Sequence, residues 1–281
     1  MTKTLITGFE DVGAYPSQSI GAIYKNLDRN HRAAREAGWE VFHMDARRGP
    51  CDHAKEVGTE SFLSSTSHIG LRFSNDRSWA QKSDVSRLQA MINVLRTSVS
   101  NAKAHLEDRE VMWLDADAFV KHPESVFTER CPHGLKAYEE RWHWQDLVQS
   151  GSMQVKRKEL TNSVMRARGD KGLKMLELYQ SLLHFYSIHK PLENFTFTEF
   201  GPKMLERMRS LSCSDNDKSF EIVDNSHEVY CHSVTQEEAR WRDSPALVKE
   251  INSKHVAFIN MSPSTVEDVS PFYDYLVGEY R

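Results

Sequence analysis

The chain has 281 residues, of which 39% are hydrophobic and 27% charged, with a formal net charge of −4. That is a normal, slightly polar globular mix, long enough for one large domain or two small ones. The overall charge recruits neither nucleic acid nor an anionic membrane, and no window approaches the roughly 20 apolar residues of a membrane span.

The opening residues, MTKTLITGFEDVG, carry one lysine and too short an apolar core for a signal peptide. They read as a first strand, Thr4 to Gly8, followed by a loop with Gly13, Pro16 and Gly21. Ile20, Ile23, Leu27, His31 and Ala34 then recur at helical spacing until Gly38, a residue suited to end a helix. A short strand from Glu40 to Asp45 follows, so the chain starts as strand, helix, strand, the opening of an α/β sheet. Residues 46–80 lack periodicity and read mostly as loop. From Ser83 the pattern sharpens: Val85, Leu88, Met91, Ile92 and Leu95 share one helical face, with Ser83 or Asp84 placed to cap it. Residues 96–109 are polar and look helical.

Residues 110–114 form an apolar strand that runs into Asp115-Ala116-Asp117, and Pro123 ends the segment after it. Residues 132–160 are rich in Trp, His and Gly, with a short strand at Met153-Gln154-Val155. Leu173, Leu176, Tyr179, Leu183 and Tyr186 mark an amphipathic helix over 172–186. Gly201-Pro202 begins another helix, with proline tolerated in its first turn. Strand-like pieces at 220–223, 228–231 and 255–259 complete the pattern. With no repeat, low-complexity tract or clear linker, a single domain is expected. The four cysteines, Cys51, Cys131, Cys213 and Cys231, show no C-x-x-C spacing. They read as reduced, buried thiols of a cytoplasmic protein.

Two carboxylates next to an apolar strand call for a positive partner, because burying them alone is costly. If the strand continues, Asp115 and Asp117 share one side; if the chain turns, both can still converge on one point. In open α/β sheets, ligands gather at the carboxyl ends of the strands. Paired carboxylates there suit a hard divalent cation, Mg²⁺ or Mn²⁺, shared with the phosphates of a diphosphate. A solvated loop is the plain alternative for so short a motif.

The stretch EVMWLDADAFVKHPESVF resembles the Asp-x-Asp region of GT-A-type nucleotide-sugar glycosyltransferases. Upstream, Lys82-Ser83-Asp84-x-x-Arg87 resembles the Ser-Asp-x-x-Arg segment of their capsular, mannan-initiating and toxin-like members. NHRAAREAGWEVFHMDA is similar to a stretch in the galactomannan and mannan galactosyltransferases. LVQSGSMQVKRKEL and TEFGPKMLERM resemble an acceptor-side strand and a Gly-Pro helix start. Two usual features are absent: the L-Y-x-x-G-G-x-Y run between Arg87 and the acids, and the C-terminal His-x-Trp. HVAFINMSPS stands in the place of the latter.

The resemblance implies a GT-A-like open mixed sheet flanked by helices, in one catalytic domain. Residues 1–125 would form a Rossmann-like, nucleotide-sugar-binding half and 126–281 the acceptor-binding half. It implies a hexosyl- or pentosyltransferase that needs Mn²⁺ or Mg²⁺ and mostly retains anomeric configuration. The donor would be a nucleoside-diphosphate sugar and the acceptor a glycan, lipid, protein or modified nucleobase. In the family's division of roles Asp115 contacts ribose or sugar and Asp117 holds the metal, with Asn260 and Ser262 as neutral oxygen ligands. Turn chemistry before Pro263 would equally explain the last two. His232 and His255 are alternative late ligands.

Arg87 would bind diphosphate or sugar oxygens and Asp84 sugar hydroxyls, against the plainer reading of an i,i+3 surface ion pair. Thr7, Gly8 and Phe9 would meet the nucleotide, the glycine by close backbone approach and the phenylalanine by stacking, as Trp79 also could. Glu199, with Asp146 as competitor, is placed to bind acceptor hydroxyls. Trp142, His143 and Trp144 are a sugar platform or, more simply, core. Two rivals stand beside this reading. A nucleotidyltransferase should carry a Gly-rich basic loop after the first strand, and GFEDVGAYPSQS has neither lysine nor arginine. A non-catalytic sugar- or protein-binding module would not need the metal.

Overall fold

The computed structural model describes residues 2–8, 17–44, 55–56, 78–97, 105–143, 155–189, 201–212, 220–222, 229–231, 252, 256–261 and 269–279. The strands are β1 (Thr2–Gly8), β2 (Glu40–Met44), β3 (Lys55–Glu56), β4 (Arg109–Asp115), β5 (Ala118–Val120), β6 (Gly134–His143), β7 (Val155–Arg168), β8 (Phe220–Ile222), β9 (Val229–Cys231) and β10 (Phe258–Asn260). The helices are α1 (Ser17–Glu36), α2 (Ser78–Thr97), α3 (Pro123–Thr128), α4 (Gly169–His189), α5 (Pro202–Ser212) and α6 (Ser270–Glu279).

The strands form one mixed sheet in the order β3-β2-β1-β4-β7-β6-β9-β10-β5, with β8 on β6. β3, β2, β1 and β4 run parallel, and β7 turns the sheet antiparallel. This is the expected open mixed sheet flanked by helices. Because β4 is central and covered on both faces, all of Arg109–Leu114 is buried, which explains its unbroken apolar run.

Strand pleating sorts β4 into two cores. Val111 and Trp113 face a cluster built from Val85, Leu88 and Leu95 of α2, Leu176 and Leu183 of α4, and Met204 and Met208 of α5. Met112 and Leu114 face the opposite cluster, with Ala34 of α1 and Phe127 of α3. A third cluster joins Phe119 of β5 and Ile259 of β10 to Phe272 and Leu276 of α6.

Gly38 ends α1 as expected. With φ at 83°, it donates to the Arg35 carbonyl over 2.9 Å while the Trp39 amide reaches back to Ala34 over 3.0 Å. This is a Schellman closure, and a side chain at that φ would be strained.

Pro123 ends the segment after the acids, as expected, and opens α3 at its first position. Three expectations are corrected. α2 starts at Ser78, so Asp84 lies inside the helix and caps nothing. Most of 132–168 forms the long pair β6 and β7, where a short strand was expected. Their periodicity is hidden because they bury charge: Arg166, at 0% exposure, is salt-bridged to the equally buried Glu110 of β4. Finally, α6 follows the last strand. Its proline is accepted in the first turn, and Val269 just before it donates to the Ser19 hydroxyl over 3.1 Å. Of the cysteines, Cys131 is buried and in no disulfide; the side chains of the other three lie outside the described residues.

Candidate active site at the end of strand β4

Asp115 is the last residue of β4 and stands in register with Gly8, the last of β1. The chain then turns through Ala116-Asp117 before β5 resumes at Ala118. The two acids are therefore joined by a turn, the second of the two geometries the sequence allowed.

The turn is held from the α1 side by neutral amides. Asn26 Nδ2 donates to the Ala116 carbonyl over 2.8 Å and to Ala118 over 3.0 Å, and Asn30 Nδ2 donates to Ala118 over 3.0 Å. Arg29 Nη1 donates to Val120 over 2.7 Å, and its guanidinium lies 4.3 Å from the Phe119 ring centre. Asn26 and Asn30 are four residues apart, so they fall on one face of α1, and both are fully buried. On the far side, the Met261 amide donates to the Asp117 carbonyl over 2.9 Å, and Asn260 pairs with Ala118 across β10 and β5. Asn260 is thus brought next to Asp117, although some 140 residues separate them in sequence.

The other side of the site is ionic. Asp115 has the parity of Trp113 and so faces α2. Trp113 Nε1 donates to Asp115 Oδ1 over 2.6 Å. Arg87 Nη2 lies 3.2 Å from the same oxygen and 3.3 Å from Asp84 Oδ1, and the guanidinium stacks 5.2 Å from the Trp113 ring centre. Arg87 also donates to the Asn162 carbonyl of β7, while Asn162 Nδ2 donates to Asp84 Oδ1 over 2.7 Å. This is no surface pair: the Asp84 and Arg87 side chains are 9% and 7% exposed, whereas Asp115 is 23% exposed and reaches the edge.

Burial raises the Asp84 carboxyl to about 6; Arg87 and the Asn162 hydrogen bond oppose this, and Asp115 adds to it. Asp115 is also raised by burial, against the pull of Arg87 and the Trp113 N–H. For Arg87, burial works against the charge, but Asp115 and then Asp84 more than offset it, so its pKa is raised and it stays a fixed cation.

Thr7 is fully buried, and its hydroxyl lies 2.8 Å from His31 Nε2 and 2.9 Å from His43 Nδ1. Its hydroxyl is thus taken up by these two histidines. Phe9, Asp146, Trp144, Glu199, His232, His255 and Ser262 lie outside the described residues, as do the side chains of Trp79, Trp142 and His143. Among the described residues, no three His, Cys, Asp or Glu side chains gather in a way that could hold a metal ion. Asp115 and Asp117 flank the turn, and β10 brings the backbone of Asn260 alongside it.

The sequence reading missed Asn26, Asn30 and Asn162. The first two left a signal, polar residues at i and i+4 among Ile23, Leu27 and Ala34 on one helix face. Asn162 left none, because its partners come from α2 and α5.

No protein-family model matches the chain, and no curated protein matches it. Among solved structures it is similar to a glycosyltransferase involved in the glycosylation of the major capsid of PBCV-1, at 10% identity and a TM-score of 0.45, covering 99% of this chain and 100% of that one. It is similar to mouse xyloside xylosyltransferase 1 in its apo form at 12% identity and 0.46, covering 92% and 97%. It is also similar to an active-site mutant of LgtC, at 8% identity and 0.46, covering 98% and 95%. Among the described residues, no helix is long and apolar enough to cross a membrane.

Proposed function

We propose that the protein is a metal-dependent glycosyltransferase that moves a sugar from a nucleoside-diphosphate sugar to an acceptor hydroxyl. The observation that carries this reading is the placement of Asp115 and the Asp117 turn at the carboxyl edge of the parallel strands, beside Gly8 and against the buried Arg87. That edge is where ligands collect in open α/β sheets. Gly8 lets a nucleotide approach the backbone closely.

The donor set fits a hard divalent cation, Mn²⁺ or Mg²⁺. All its ligating atoms are oxygens, and two carboxylates plus phosphate oxygens are what Mg²⁺ typically takes from a protein. Asp117 and Asp115 would hold the ion, with Asn260 and Ser262 as neutral oxygens. The described contacts of Asp115 fall on Oδ1, so this carboxylate is partly committed to Arg87; Asp117 as the principal metal ligand is what the family resemblance implies. When bound, the cation neutralises charge developing on the diphosphate leaving group. Arg87 adds a positive charge already oriented before the donor arrives, so it needs no reorganisation as that charge develops.

Mn²⁺-dependent hydrolysis of a UDP- or GDP-sugar is the expected activity, and Asp117→Asn should abolish it. Activity that persists in excess chelator would refute the metal's part. If the chain were a binding module instead, Asp117→Ala would leave sugar binding intact. Retention is implied by the family resemblance, and the anomeric proton signal of the first-formed product decides it.

A further inference from the structure

We infer that Asn162 is a positioning residue for Arg87, locked in place by the start of helix α5 at Gly201. Among the described residues, Arg87 contacts two carboxylates, the Trp113 ring and the Asn162 carbonyl. The pull of Asp84 competes with that of Asp115 for the same Nη2. Asn162 restrains both ends of that competition, since its carbonyl accepts from Arg87 Nη1 and its side-chain amide holds the Asp84 carboxylate. One residue thus fixes how far Arg87 leans toward the partly exposed Asp115 and how far toward the interior.

Asn162 is held by Gly201. A Cβ on Gly201 would lie 2.4 Å from Asn162 Nδ2, 2.6 Å from its Cγ and 2.7 Å from its Oδ1. The asparagine side chain is short and tied to Asp84, so it cannot yield without giving up that hydrogen bond. Gly201 is itself fixed: its carbonyl accepts the first amides of α5, from Met204 and Leu205, each over 3.1 Å, and the Tyr179 hydroxyl of α4 over 3.1 Å. The start of α5 and the charge cluster at the end of β4 therefore move as one unit, through a single amide side chain.

The consequence for catalysis rests on the glycosyltransferase reading; the mechanical coupling does not. Two measurements separate them. The first is a cycle in kcat/KM for Mn²⁺-dependent nucleotide-sugar hydrolysis, read as Kd for the nucleotide sugar with Mn²⁺ where turnover is too slow. Asn162→Ala keeps the main-chain carbonyl but removes the amide that holds Asp84, freeing Asp84 and with it Arg87 to shift; it should reduce the value by about 10²-fold, the scale of a misplaced catalytic group. In an Arg87→Ala background the same change should cost less than about twofold, because Asn162 acts through Arg87. An equal loss in both backgrounds, as a general destabilisation would give, overturns the role.

The second cycle uses the ligand-free protein. Gly201→Ala should lower the melting temperature by several degrees alone, and by little once Asn162→Ala has made room for the new methyl. The same drop in both backgrounds overturns the lock. If the wild type neither binds nor hydrolyses any nucleotide sugar, the functional reading falls while the thermal cycle still decides the coupling.

Discussion

The two sides of the β4 terminus solve different problems. On the α1 side, Asn26 and Asn30 bind main-chain carbonyls of the Asp-x-Asp turn and carry no charge. On the α2 side, the described partners of Arg87 are the Asp84 and Asp115 carboxylates, the Trp113 ring and the Asn162 carbonyl, so charge dominates. The first side fixes where the backbone goes, and the second fixes what charge the edge presents. A neutral clamp works at any pH, because amides and carbonyls do not titrate. An ionic cluster is stronger at short range in a low-dielectric setting, but its strength depends on protonation.

That difference can be broken open by substitution. The largest effect is expected for Arg87→Ala, which leaves two acids without their counter-charge; breaking a buried pair in this way costs about 3–5 kcal/mol. For a chain of this size that is a melting-temperature drop of roughly 10 °C. The loss should shrink toward acid pH as Asp84 and Asp115 take up protons, and a pH-independent loss would contradict the ionic account.

Next is the titration of Asp84 itself. Burial raises its folded-state pKa to about 6, so the folded protein holds this proton more tightly than the unfolded chain. Its favourable contribution is complete below about pH 4 and is lost as pH rises through about 6. Urea unfolding of wild type and Asp84→Asn across that window should show their difference changing by up to about 3 kcal/mol, with wild type losing ground as pH rises. Parallel pH profiles would show that the carboxyl is not titrating in this range.

On the opposite side, Asn26→Ala strands the Ala116 carbonyl and should cost about 1–3 kcal/mol at every pH. Asn30→Ala should cost less, about 0.5–1.5 kcal/mol, because Ala118 keeps its bond from Asn26. A pH-dependent loss for either asparagine would erase the contrast between the two sides.

The sequence made some of this site legible. The apolar run of β4 announced a buried strand, and the acids after it marked the strand's end. Gly38 at φ 83° closed α1 where its position implied. Apolar spacing at Val85, Leu88, Ile92 and Leu95 disclosed α2, though not its first turn. Other parts were illegible for a physical reason. Hydrophobic periodicity assumes that buried means apolar, and β6 and β7 break that assumption by burying Lys136, Arg166 and Arg168 among acids and carbonyls. Asp84 and Arg87, one turn apart on a helix, have the spacing of a solvated ion pair. The strands β4 and β7 packed against them bury the pair, and local spacing carries no information about those strands.

By itself, then, the sequence determined what is local: the central strand, the helix that follows the first strand, the Asp-x-Asp pair and its proximity to a sheet edge. These follow from periodicity and from the cost of burying charge, which act within a few residues. Tertiary structure alone decided that the strand of Asn260 lies beside the Asp-x-Asp turn across some 140 residues, that Arg87 is enclosed by three elements, and that Asn162 and Gly201 fit against each other. Each of these depends on which strands and helices become neighbours, and that choice is settled by packing the whole sheet.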